Sequence, residues 1–263
     1  MTLASYYVVL IIAGFLPSII WLTYYLRRDS HPEPKYMIVK TFLMGIIVSP
    51  LVIAAGFLVL SIVSKACDCQ IRLQDYRFLL WAAFLEEFVK FYAVKLVVLK
   101  NAEFDEPIDA MIYMITAAMG FAAMENILYL SRTVQEGVSI HATLGMHAKA
   151  ALSVWILRFT GATLLHTLSS ALVGYFLALS WFFAHHQRKL IYIGLVLATI
   201  FHFTFNIFVS KPLAPDSWDI GKQLLVGQVY ALLLLVGMAF LISVLFDKIR
   251  ERKTALMKLY TNV

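Results

Sequence analysis

The chain has 263 residues, 61% of them hydrophobic and only 14% charged, with a net charge of +6. Soluble domains carry about 25% charged residues, so this composition, with its mean hydropathy of +0.80, excludes a soluble globular protein. It describes one all-α, polytopic membrane domain over residues 1–263, whose positive balance suits anionic lipid as a partner and gives no reason to expect nucleic acid.

A membrane-spanning helix needs about 20 mostly apolar residues, and seven runs qualify. The first, 4–26, has no basic stretch before it and is followed by Arg27-Arg28, which marks a retained helix rather than a cleaved signal. The second covers 37–63. Cys67 and Cys69 follow it; a C-x-C spacing is unfavourable for a disulfide and supplies too few ligands for zinc, so the pair reads as plain loop. The third run, 77–99, contains "FLEEFVK" at 84–90, which places Glu86, Glu87 and Lys90 inside apolar sequence. The fourth, 108–131, carries Glu125 and Asn126. The fifth, 153–183, is long enough to start as a tilted or surface-lying segment before Arg158, and it holds His166, Ser170 and Gly174 at four-residue steps. The sixth, 190–210, carries His202 and Asn206 one turn apart, and the seventh covers 222–246. The tail "DKIRERKTALMK" reads as a helix lying along the membrane surface.

Loop charge predicts orientation. Thirteen Lys and Arg residues fall in the first, third and fifth loops and the tail, against seven on the other side, Lys149 among them. The N-terminus is therefore expected outside and the C-terminus in the cytoplasm.

A charge at the centre of a spanning helix costs about 2.5–3.5 kcal/mol on insertion scales. Lys90 lies four residues after Glu86 and three after Glu87, so it can pair with either. The two glutamates point about 100° apart and cannot share one job: one should face a reacting centre and the other brace the lysine or a neighbouring helix. Read alone, the trio is equally well a charge-neutralised structural group. Depth argues for more. Counted from the expected outer boundary, Glu86 lies nine residues deep, Glu125 six, and His166 and His202 eight each, roughly 9–13 Å for all four. Such a layer needs a hydrated cavity. Carboxylates and imidazoles together can activate water and polarise a carbonyl. Two histidines and a glutamate also match a catalytic zinc set, with Glu125, His166 and His202 the candidates, although no H-E-x-x-H signature is present. Ser169 and Ser170 sit in no nucleophile elbow and read as small packing residues, with Gly174 allowing close helix approach.

The ordered set E-E-x-x-K (Glu86, Glu87, Lys90), F-x-x-x-E-N (Phe121, Glu125, Asn126), H-x-x-x-S-x-x-x-G (His166, Ser170, Gly174) and H-x-x-x-N (His202, Asn206) resembles PrsW-type intramembrane proteases. The stretch from Pro107 through Asp109 and Gly120 to Leu130 is similar to the same family. The likeness runs from about 77 to 210, and its motif plan is similar to that of the CAAX prenyl endopeptidases. It implies a helical membrane protease in a bacterial or archaeal cell membrane, often classed with metalloproteases. The implied substrate is a single-span membrane protein such as an anti-sigma factor, cut near the extracytoplasmic face. Carried over, Glu86 or Glu87 is the base, with Glu86 the preferred one. Glu125 is a second acid or a ligand, and His166 and His202 hold water, metal or carbonyl. Asn206 stabilises the oxyanion and Lys90 balances charge. Asn126 and Asp109 support from behind, and Arg158 snorkels to the outer headgroups. Two other classes stay open on the residues alone. One is a proton-coupled transporter or channel, which should spread its polar groups along the membrane normal. The other is a non-catalytic lipid- or peptide-binding module.

Overall fold

The computed structural model describes residues 3–29, 31–139, 152–214 and 217–261. Within them the chain forms seven long helices and no strand: α1 (Leu3–Leu26), α2 (Lys35–Cys67), α3 (Tyr76–Val97), α4 (Asp109–Ser139), α5 (Leu152–Phe182), α6 (Gln187–Ser210) and α7 (Ile220–Thr261). Six are long and apolar enough to cross a membrane. The exception, α3, is interrupted by Glu86, Glu87 and Lys90, and the side chains of Glu87 and Lys90 are wholly buried in the bundle. The chain is thus an all-α polytopic membrane protein, as its composition requires. Lys149, counted above in the loop charges, lies outside the described residues.

The helices sort by how much lipid they meet. Leucine, isoleucine, valine and phenylalanine on α1, α2 and α7 are largely exposed at the bundle surface, as lipid-facing side chains must be. α4 and α5 lie inside: from Ile108 to Ala123 nearly every α4 side chain is buried. α4 packs on α1, α2 and α5, while α6 joins α3 to α5 and α7 closes over α5 and α6. Without water to drive helices together, contact depends on close backbone approach through small residues. A Cβ on Gly120 would overlap the Phe42 carbonyl oxygen of α2, and one on Gly174 would lie 2.7 Å from the Met111 Cα of α4. These two glycines let α2 and α5 reach the central helix, and the expected role of Gly174 holds.

Two details depart from the sequence reading. Cys67 and Cys69 are joined as a disulfide with their Cα atoms 5.2 Å apart. Asp68 between them takes a left-handed conformation, φ 50°, that ends α2 and turns both side chains to the same side. The tail is no separate surface helix. It continues α7 without a break, because Phe246 and Ile249 are buried and Lys253 pairs with Glu106 of the α3–α4 loop. That loop is itself held by Asp109, whose Oδ2 accepts the backbone N–H of Asp105 at 3.1 Å and of Glu106 at 2.8 Å.

Candidate active site

The polar residues of four helices meet in one cluster. Glu87 sits at its centre, fully buried. Its Oε1 accepts from Lys90 Nζ at 2.8 Å, Ser169 Oγ at 2.9 Å and His202 Nδ1 at 2.8 Å, and its Oε2 accepts from Ser170 Oγ at 3.1 Å. Four donors on one carboxylate are what an ionised acid needs away from water. The serines therefore bond to Glu87 as well as permitting close packing, a role the sequence reading did not give them.

The hydrogen-bond roles follow from chemistry. A carboxylate only accepts, so His202 Nδ1 carries its proton and Nε2 presents a lone pair. Lys90 only donates, and it lies 2.8 Å from His166 Nδ1. His166 Nε2 must then carry the proton, which it donates to Glu125 Oε2 at 2.8 Å. Lys90 also rests 4.7 Å from the Phe121 ring centroid, which gives the phenylalanine of the second motif a physical task.

Glu86 is placed differently, as the 100° offset from Glu87 requires. Its Oε2 is buried and has no hydrogen-bond partner among the described residues. The nearest groups stand back: His202 Nε2 at 3.7 Å, His166 Nδ1 at 3.9 Å and Lys90 Nζ at 4.0 Å. Glu86, Glu125, His166, His202 and Asn206 all line one cavity of about 910 Å³. Its walls come from α2 to α7, and it runs toward the end of the bundle that bears the 68–75 loop. Phe57, Phe78, Trp81 and Phe205 make much of the wall apolar.

Arg158 is the residue that sequence reasoning misplaced. It is turned inward: its guanidinium donates to Glu125 Oε2 at 2.6 Å and to Asn126 Oδ1 at 2.6 Å. A signal was available, since Arg158 is the one Lys, Arg, Asp or Glu between Lys149 and Arg188. Asn126 completes the arrangement by donating to Thr163 Oγ1 at 3.1 Å and to the Gly14 carbonyl of α1 at 3.3 Å.

A family model, described as PrsW family intramembrane metalloprotease, matches residues 33–244. The chain belongs to the PrsW family. Its relatives include a protein named Protease PrsW from Geobacillus kaustophilus, 36% identical over 152 residues, or 55% of this chain and 62% of that one. Others of the same name come from Oceanobacillus iheyensis, 26% identical over 76% of this chain and 81% of that protein, and from Bacillus subtilis, 26% identical over 76% and 83%. No solved structure matches the chain. Membership in a protease family decides against the transporter and the non-catalytic module.

The family description names a metal, and the PrsW residues here fit one in kind. Glu86, His166 and His202 each offer a ligand atom within 4.8 Å of the others, the three-ligand set of a catalytic zinc site. The unpartnered Glu86 oxygen is one such atom. The carboxylate in this set is that of Glu86; Glu125, the acid expected from the sequence, is engaged by Arg158 and His166. One contact competes: the His166 Nδ1 lone pair faces Lys90, so a metal there takes the place of that hydrogen bond.

Proposed function

We propose that this chain hydrolyses a peptide bond in a membrane-anchored protein, with Glu86 as the base that activates water. The observation that carries the reading is the Glu86 carboxylate, which faces the cavity with a buried oxygen that no described protein group satisfies. A water bound between Glu86 and the His202 Nε2 lone pair has an acceptor for each of its protons. Glu86 takes one proton as the oxygen attacks the scissile carbonyl. The Asn206 amide, in the cavity wall, donates to the developing oxyanion. Glu86 then passes its proton to the leaving nitrogen, and the C–N bond breaks. Glu87 holds His202 in the tautomer that makes this possible. A zinc ion held by Glu86, His166 and His202 would instead supply Lewis-acid polarisation and a more acidic water, and would occupy the Glu86 oxygen and the His202 lone pair that hold the water without it.

The substrate fitting this cavity is a single-span protein with an apolar, unwound segment, and the first cut in an anti-sigma factor is the reading we favour. The test is cleavage of single-span candidates by the purified chain in detergent; a well-folded chain that cuts none of them overturns the proposal. Metal analysis accompanies it. If zinc resides in the site, a chelator lowers both activity and melting temperature, and added zinc restores both. Unchanged melting with and without chelator rules the metal out.

We further propose that the end bearing the 68–75 loop faces outward. The loop charge bias supports this, and so does the Cys67–Cys69 disulfide, since such bonds persist in oxidising compartments. Engineered cysteines in residues 70–75 should react with an impermeant reagent on intact cells, and those at 184–187 should not. The reverse pattern would invert the topology.

A further inference from the structure

α5 is not a uniform helix. Residues Arg158–Ala162 form a π turn, closed by the Thr163 N–H bonding to the Arg158 carbonyl five residues back. It contains no proline; Gly161 lies within it, and the Thr160 hydroxyl donates back to the Ile156 carbonyl at 2.9 Å. A π turn inserts one residue into the helical repeat, which turns the preceding side chains by about 100° relative to those that follow. Such turns occur mostly at functional sites. Here the turn borders the cavity through Thr160, Gly161 and Ala162, and the side chain it redirects is Arg158. That side chain is only 11% exposed and lies 4.2 Å from the Tyr129 ring centroid, so its charge is spent inside the protein rather than at the headgroups.

Two features make this contact more than an isolated ion pair. Glu125 and Asn126 are consecutive residues of α4 and point about 100° apart, yet one guanidinium reaches both, Nε to Asn126 and the terminal nitrogen to Glu125. Only a planar fork does this. From Glu125 an unbroken line of hydrogen bonds then runs to the reacting centre. Glu125 meets His166 at 2.8 Å, His166 meets Lys90 at 2.8 Å, Lys90 meets Glu87 at 2.8 Å and Glu87 meets His202 at 2.8 Å. The free Nε2 of His202 faces Glu86 at 3.7 Å. Every donor and acceptor role along this line is fixed by its neighbours, and Arg158 holds its first member, Glu125, in place.

We propose that Arg158 is a positioning residue of the reaction: set by the π turn of α5, it aligns Glu125 and Asn126 together and so holds His166, Lys90, Glu87 and His202 in their working arrangement. The inference rests on the protease reading given above.

The test uses the full chain in detergent with a cleavable single-span substrate, and rates are expressed per folded molecule. Arg158→Gln should lower kcat by about 10²-fold, the cost of a small misplacement of catalytic groups, and leave KM unchanged. Arg158→Lys should recover part of kcat, because an ammonium reaches Glu125 but cannot bridge to Asn126 as well. The double variant Arg158→Gln, Glu125→Gln should be no slower than the slower single variant, since both break the same line. A purely structural arginine would lower the folded fraction and the melting temperature while kcat per folded molecule stayed at the parent value. Arg158→Gln cutting within about threefold of the parent, or strictly multiplicative losses in the double variant, overturns this proposal alone. A parent chain that cuts nothing overturns the protease reading, and this inference with it.

Discussion

Glu86→Gln should fold normally and cut its substrate about 10²–10⁴-fold more slowly, the usual cost of removing a general base. The two halves of that expectation have separate grounds. Folding should survive because Glu86 Oε2 has no hydrogen-bond partner to lose among the described residues and its nearest cationic group stands 4.0 Å away. The amide keeps the shape and removes a buried charge, which costs the fold nothing. Chemistry should fail because the amide cannot take the proton that attack requires. The measurement is single-turnover cleavage of a single-span substrate, with melting followed in parallel. A folded Glu86→Gln chain that cuts at the parent rate would eliminate Glu86 as the base.

Lys90→Met should do the opposite and damage the fold first. Lys90 is wholly buried, and its ammonium supplies the cation for Glu87 at 2.8 Å. Removing one partner of a buried pair costs about 3–5 kcal/mol, because the other charge is left uncompensated. Ser169, Ser170 and His202 still donate to Glu87, which places the expected loss toward the lower end. Pairing Lys90→Met with Glu87→Gln should restore much of the melting temperature without restoring activity, since the uncompensated charge is gone but His202 loses its carboxylate. Equal destabilisation by the single and double variants would show that the pair is not coupled. Lys90→Arg is no conservative alternative, as a side chain with no exposed surface leaves little room for a larger head.

What the sequence revealed and what it hid divide along a physical line. Helix existence was readable because apolar length alone decides it, and the polar layer was readable because charge in an apolar run demands a reason. Depth along each helix placed Glu86, Glu125, His166 and His202 together. Depth does not report rotation about the axis. Rotation decides that Glu86 and not Glu125 stands with the two histidines, and that Ser169 and Ser170 both reach Glu87. The π turn of α5 alters rotation in a way that helical spacing does not report, so Arg158 was assigned to the headgroups although its partners lie on the neighbouring α4. The continuity of α7 was hidden for a related reason: its tail is polar enough to suggest a surface helix, and only the burial of Phe246 and Ile249 and the contact between Lys253 and Glu106 show what holds it.

That continuity has an architectural meaning. α7 is 42 residues long without a proline, about 63 Å of helix against a hydrocarbon core of about 30 Å. Near one end, Leu225, Val229, Leu232 and Leu235 form part of the cavity wall. Roughly 27 Å further along, from Leu235 to Lys253, the same helix is clamped to the α3–α4 loop. One continuous helix therefore carries both a part of the cavity wall and the cation that meets the α3–α4 loop, so the site and the opposite end of the bundle share a single structural element.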